Sequence, residues 1–476
     1  MRVHSDLYIG GQWVAATGTD VIEVVNPSTE EVFASVPAAS KDDADAAVAA
    51  ARGAFESWSQ LSIDERTDYV EKIAAAMAER SEEIAALVSA EQGMPIANAR
   101  RVQAGLPTMV MQSYVGIGRE YAAAEPERVG NSMVVEEPIG VCTFITPWNY
   151  PLHQIVGKVA PALVAGCTMI VKPSSETPLN AFVLAEIMHE VGVPAGVFNL
   201  VTGAGRTVGE ALCVHPDVDM ISITGSTEAG ARIAELGAPT VKRICQELGG
   251  KSANVILESA DISKAVPAGI TGMMLNCGQT CTALTRMIVP RSRQDEVVDL
   301  AVEALNSLSM GDPTSDEHFL GPMVSASQKT TVQDYIRTGI DEGARLVAGG
   351  PDDPEGYDVG FYVQPTIFAD VDNSMVIAQE EIFGPVLCII PADSDDDAIA
   401  IANDSPFGLS GAVWADTDDN AIAAARRLRT GQVMVNGGRF NPLAPFGGYK
   451  ASGNGRELGR AGLDEFLETK AIQLPA

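Results

Sequence analysis

Three residues combine a reactive side chain with an unusual local string. Cys281 closes Gly278-Gln279-Thr280-Cys281, Asn149 centres Pro147-Trp148-Asn149-Tyr150-Pro151, and Glu247 opens Glu247-Leu248-Gly249-Gly250-Lys251. A thiolate is a strong nucleophile, although a thiol with a pKa of about 8.5 is only slightly ionised at neutral pH. A primary amide can donate to the oxygen that gains charge when a carbonyl is attacked, and a carboxylate can take a proton from water. Each type alone has a plainer reading. A lone cysteine is usually core, and Cys142, Cys167, Cys213, Cys245 and Cys388 are read so, with Cys277 as packing. A glutamate before Leu-Gly-Gly is usually a cap or a surface charge.

Phosphate-binding candidates are fewer. Gly225-Ser226-Thr227-Glu228-Ala229-Gly230 follows a strand-like run and opens a helix-like one, where backbone N–H groups can hold a pyrophosphate. An ordinary helix cap would look the same. Lys172 ends another strand-like run and could anchor an adenosine ribose; by itself it reads as a solvated lysine. The stretches Gly203–Gly209 and Gly453–Gly459 are one residue too long for the dinucleotide fingerprint. The cysteines form no CxxC pair and the five histidines no HxxxH spacing, so no metal site is expected.

The elements that must position these residues have clear local signals. Helices are expected from Ser40, capped with Asp43, from Ser62, capped with Glu65, and over 81–92. Beyond residue 139, β-rich runs at 141–146, 168–171, 198–201, 220–223 and 241–244 alternate with helical patterns at 152–164, 179–191, 206–214 and 227–236. Such alternation implies a doubly wound parallel sheet, with ligands bound beyond the carboxyl ends of its strands. A second alternating region runs from 252 to about 450. The stretch 121–138 could pair with the tail 468–474 as an edge hairpin facing another subunit.

Composition bounds the rest. A chain of 476 residues suggests two or three domains. Its 63 acidic residues against 32 basic ones give a formal charge of −31, which disfavours nucleic acid and anionic membranes as partners. No apolar run is long enough to span a bilayer, and the scattered, odd number of cysteines fits a reducing cytoplasm.

The three strings occur in the order and near the separations of the aldehyde dehydrogenase superfamily, which the chain resembles over nearly its whole length. Glu381-Ile382-Phe383-Gly384-Pro385, the run 445–453 from Pro445-Phe446-Gly447-Gly448 onward, and Gly225–Gly230 extend the likeness to six motifs. The resemblance implies an α/β fold with a doubly wound parallel-sheet cofactor domain, a second α/β catalytic domain and a small β oligomerisation flap. Expected boundaries are 1–118 and 139–249 for cofactor binding, 250–451 for catalysis, and 119–138 with 464–476 for bridging in a homodimer or homotetramer. By the same likeness Cys281 attacks the aldehyde, Asn149 supports the oxyanion and Glu247 activates the water that hydrolyses the thioester. Lys172, Ser175, Gly225, Ser226, Gly230, Trp148, Glu381 and Phe383 would contact NAD or NADP. Lys158 and Glu457 would organise the site, and Arg243 with Glu468 would pair near a subunit interface.

Departures from the family pattern bear on specificity. Many NAD-preferring members have Glu where this chain has Ser175, with Glu176 one residue later; losing that carboxylate removes repulsion against a 2′-phosphate, so both cofactors are expected to serve. Tyr150, Gly157, Thr280, Thr282 and Phe440 are expected in the substrate pocket, with Arg439 near it. Gly157 replaces a bulkier residue or an arginine, which argues for a roomy tunnel and an aromatic or medium-chain aliphatic aldehyde. A coenzyme A-acylating relative commonly lacks the hydrolytic glutamate, so Glu247 speaks against that reading, and the full set of reactive residues speaks against a non-catalytic binding protein.

Overall fold

The computed structural model describes residues 2–475. Helices Lys41–Ser59 and Ile63–Glu79 begin at Ser40 and Ser62, each with the reciprocal capping box formed by Asp43 and Glu65. The first buries Ala44, Ala47, Val48, Ala51, Ala54 and Trp58, a stripe at helical spacing. Helix Ser81–Gln92 ends at Gly93, whose φ of 90° the left-handed cap requires.

Five parallel strands form the centre of an eight-stranded sheet, in the order Arg243–Glu247, Met220–Thr224, Val141–Ile145, Thr168–Lys172, Phe198–Leu200. Asp6–Ile9 and Gln12–Ala15 add antiparallel strands at one edge and Gly453–Asn454 at the other. The chain runs outward from Val141–Ile145 in one direction, then returns to its other side with Met220–Thr224. Connections therefore diverge between these two neighbours, and the crevice at their carboxyl ends is where such sheets bind ligands. The loops beginning at Thr146 and Gly225 flank it.

A seven-stranded sheet follows, in the order Arg345–Ala348, Thr366–Ala369, Val386–Ala392, Arg286–Pro290, Ala253–Ile256, Ser410–Trp414, Gln432–Val435; all but the first pair in parallel. It has its own apolar core, centred on residues such as Val255, Ile288, Phe368 and Ile389. Strand Leu467–Gln473 pairs antiparallel with Ser132–Pro138, which pairs with Glu127–Val129, in a separate exposed sheet. Among the described residues no helix is long and apolar enough to cross a membrane.

Four local expectations need correction. The strand expected at 241–244 is Arg243–Glu247: Val241 has φ 55° and is 89% exposed, so the chain turns there and pairing begins two residues later. The strand therefore extends to Glu247 as its last residue. The segment 206–214 is a wide turn at Gly205–Gly209 followed by one short helix, Glu210–Val214. Residues 119–122 finish the helix Leu106–Ala122, so the flap strands start only at Glu127.

Candidate active site

Cys281 is carried on a loop whose backbone is forced to turn sharply. Helix Ile262–Met274 runs into Asn276, Cys277 and Gly278, with φ of 55°, 53° and 69°. Gly278 is required on space as well, because a Cβ there would lie 2.1 Å from the Gly384 carbonyl oxygen. Asn276 donates to the carbonyls of Asn149 at 3.1 Å and Gln279 at 3.2 Å, and accepts from Gln92 at 2.8 Å. Gln103 also donates to the Asn149 carbonyl, at 2.9 Å. A lattice of buried amides thus fixes the Asn149 loop against the Cys281 loop. Asn149 adds its own bond, Nδ2 to the Gln279 carbonyl at 3.2 Å, while its Oδ1 has no partner.

The two glycines after Glu247 solve a crowding problem. A Cβ on Gly249 would meet Glu381 Oε2 at 2.3 Å, and one on Gly250 would meet the Cys281 carbonyl at 2.4 Å. Their absence of side chains lets both groups close on the Glu247 strand, and Gly250 N–H donates to Glu381 Oε1 at 2.8 Å. Glu247 is 3% exposed, and its Oε2 has no partner. Burial, then the negative Glu457, hold its carboxyl well above the ordinary range, with Lys158 opposing. Lys158 is fully buried and donates to both Glu457 and Thr224. Burial likewise pushes the Cys281 thiol up, reinforced by Glu381 and Glu247, while the backbone N–H groups of Cys281 and Thr282 oppose it.

On the crevice side, Gly225 follows its strand directly and Ser226 caps helix Thr227–Gly237 by accepting from Ala229 N–H. Gly230 lies a turn further in, where a Cβ would strike Leu248 at 2.7 Å; its immediate role is close helix–strand packing. Lys172 Nζ donates to the carbonyls of Pro173 and Gly203, and burial lowers its pKa to about 8. Ser175 Oγ approaches the same Gly203 carbonyl at 3.5 Å, whereas Glu176 is exposed. The Gly203–Gly209 turn, weak as a motif, therefore borders Lys172. Trp148 and Phe383 pack edge to face with centroids 5.2 Å apart, Phe383 holding φ 56°. Burial raises Glu381 to about 7.

Cys281 opens onto a cavity of about 380 Å³. Tyr150, Thr280, Thr282 and Phe440 line it as expected from the sequence, and Tyr150 shares a 2.7 Å hydroxyl contact with Thr280. Gly157 does not line it: a Cβ there would meet Glu457 Oε2 at 3.3 Å. The roominess inferred from Gly157 has another source, namely the small residues Ala268, Gly269, Gly272, Gly437 and Gly438 among the lining. Arg439 is exposed and outside the lining. Sequence reading missed Val102, Leu106, His153, Gln154, Trp414, Met434 and Phe446. The helical spacing of 153 and 154 after Tyr150, and of 106 after 102, was the available signal.

Comparison with known proteins identifies the family and the fold. Residues 13–472 match the model of the aldehyde dehydrogenase family. A 3-succinoylsemialdehyde-pyridine dehydrogenase of a Pseudomonas species is 48% identical, with 99% of each chain covered. A crystal structure of a variant of Pseudomonas syringae aldehyde dehydrogenase C, complexed with NAD+ and octanal, is 49% identical with a TM-score of 0.98, covering 99% of this chain and 97% of that one. A Mycobacterium tuberculosis aldehyde dehydrogenase complexed with NAD+ is 44% identical with a TM-score of 0.97, covering 100% and 99%.

Proposed function

Since the chain belongs to the aldehyde dehydrogenase family, whose members oxidise aldehydes to acids with NAD(P)+, we propose that Cys281 is its nucleophile, Asn149 its oxyanion donor and Glu247 its hydrolytic base. The observation that carries this reading is the joining of three distant stretches at one place: Asn149 is bonded to the Cys281 loop, and the chain leaving Glu247 packs its Gly250 against the Cys281 carbonyl.

Cys281 Sγ adds to the aldehyde carbon, and the thiol proton passes to Glu247, whose Oε2 is otherwise unpartnered. The carbonyl oxygen becomes an oxyanion that receives the Asn149 amide and the Cys281 backbone N–H, each donor worth about 3 kcal/mol. A nicotinamide cofactor held beside Trp148, Glu381 and Phe383 would supply the acceptor for the hydride on the former aldehyde carbon. A thioester remains on Cys281. Glu247, having passed its proton to the carboxylate of Glu457, takes one from water; the water oxygen attacks the thioester carbon, the C–S bond breaks with Cys281 leaving as thiolate, and the free acid departs.

Lys172 and Ser175 are assigned to the adenosine ribose, Gly225, Ser226 and Gly230 to the pyrophosphate, and Trp148, Glu381 and Phe383 to the nicotinamide half. Support comes from the strand-end crevice, from the close approach permitted at Gly225, and from a lysine whose own bonds go only to backbone carbonyls. Residues 1–118 and 139–249 are assigned to cofactor binding and 250–451 to catalysis. Strand Leu467–Gln473 has one unpaired edge, so 119–138 and 464–476 are assigned to assembly of a homodimer or homotetramer. Seven unpaired cysteines suit a reducing cytoplasm.

The substrate is assigned as an aromatic or medium-chain aliphatic aldehyde. The cavity's lining includes Val102, Leu106, Leu275, Trp414, Met434 and Phe446, and its volume of about 380 Å³ suits a chain or a ring. The test is a panel of aldehydes assayed for NADH and NADPH production beside Cys281→Ala. Apolar aldehydes should turn over with the native enzyme alone; equal turnover by the alanine variant would refute the assignment.

A further inference from the structure

Glu247 ends its strand beside a short antiparallel segment, Gly453–Asn454, with Gly453 directly opposite it. The segment continues into Arg456 and Glu457. Glu457 is fixed by a two-way backbone bridge to Phe446, 2.7 Å in each direction, and its side chain meets Lys158. Its neighbour Arg456 is half-buried and held by other partners. The guanidinium lies over the Tyr449 ring, 5.5 Å from its centroid, and Nη1 donates to the carbonyls of Gly448 at 3.2 Å and Gly455 at 2.5 Å. Its backbone N–H donates to Glu465 Oε1 at 2.9 Å. Among the described residues no carboxylate pairs with the guanidinium. An aromatic face and carbonyl oxygens orient such a cation without cancelling its charge.

Gly447 shows what that charge is near. It holds φ 153°, and a Cβ there would lie 2.7 Å from Glu247 Oε1 and 3.0 Å from Arg456 Cδ. The base and the arginine thus share one vacant side-chain position. The third atom beside it, at 2.8 Å, is the Gly455 carbonyl oxygen that Arg456 itself holds. Of the charges around Glu247, Glu457 and Glu465 oppose its ionisation, while Lys158 and Arg456 favour it; the Cys281 thiol, whose ionisation Glu247 opposes in turn, completes the set. Lys158 is already paired with Glu457. Arg456 is therefore the positive neighbour left without a carboxylate of its own.

We infer that Arg456 is a positioning residue for the hydrolytic base: seated on Tyr449 and two backbone carbonyls, it supplies the counter-charge for the carboxylate form of Glu247. The inference rests on the hydrolytic role assigned to Glu247.

The test compares the native enzyme with Arg456→Leu, Arg456→Lys and Tyr449→Leu in kcat against pH. The aldehyde is one that gives a burst of reduced cofactor, so that hydrolysis limits turnover. Arg456→Leu should move the acidic limb upward by about 0.4 of a pH unit or more, since a unit charge about 8 Å away has that effect even in water. On the alkaline plateau kcat should stay within about twofold, because the base once ionised is intact. Arg456→Lys keeps the charge and should return the limb towards its native position. Tyr449→Leu removes the seat alone and should shift the limb in the same direction as Arg456→Leu, by less. A limb unmoved in Arg456→Leu, one moved as far by Arg456→Lys, or a loss at every pH without a shift overturns the inference and leaves the base assignment standing. Native turnover by Glu247→Gln would instead remove that assignment, and this inference with it.

Discussion

The Asn149 side chain donates to the Gln279 carbonyl at 3.2 Å across 130 residues of sequence. One amide N–H therefore ties the loop at the end of the first parallel strand to the loop carrying Cys281, and leaves the second N–H for a developing oxyanion. Asn149→Ala should lower kcat about 10²–10³-fold, with cofactor affinity by fluorescence titration changed less than about twofold. A similar loss in cofactor affinity would move Asn149 from the reacting centre to the fold.

Glu247→Gln should acylate and then stall. Rapid mixing with excess aldehyde is expected to give about one equivalent of reduced cofactor per site and a steady state at least about 10²-fold slower. Undiminished steady turnover would assign hydrolysis to another group.

The pH profile carries a sign. Glu247 is held high by burial and by Glu457, and only its ionised form removes a proton from water. Where hydrolysis limits kcat, activity should fall on acidification through a midpoint above the usual carboxylate range. Glu457→Gln removes a negative neighbour and should move that acidic limb to lower pH. A shift upward, or none, would contradict the coupling.

Gly278→Ala combines a positive φ with a Cβ 2.1 Å from the Gly384 oxygen. The expected cost is about 2–3 kcal/mol, measured by urea unfolding, together with a lower kcat because the loop it bends carries the thiol. An alanine variant as stable as the native chain would show that this backbone can relax.

Ser175→Glu restores a carboxylate beside Lys172. The ratio of kcat/KM for NAD over NADP should rise at least about tenfold through repulsion of the 2′-phosphate. No change would place the ribose end of the cofactor away from Ser175.

Arg243 donates to the carbonyls of Glu465 and Leu467 and to Glu468 Oε1 at 2.8 Å, fastening the start of the edge strand to the cofactor sheet. Arg243→Glu should loosen that strand and yield smaller species in sedimentation velocity. An unchanged profile would deny it any part in assembly.

Much of this protein could be read without coordinates, for a reason rooted in range. Ser40 with Asp43 and Ser62 with Glu65 are contacts three residues apart, and helix starts follow from them. Strand and helix alternate because side-chain periodicity is local, and that alternation alone implied a crevice near Asn149 and Gly225. The reactive strings around Asn149, Glu247 and Cys281 were legible because each needs neighbours of a fixed kind. Tertiary packing decided what those strings face. Lys158 meets Glu457 across 299 residues, Gly249 makes room for Glu381, and Gly157 turns towards Glu457 instead of the tunnel. His153 acquired its place because one helix buries every other residue and leaves that ring at a cavity. No pattern within a few residues encodes such meetings; they exist only once two sheets have closed on each other.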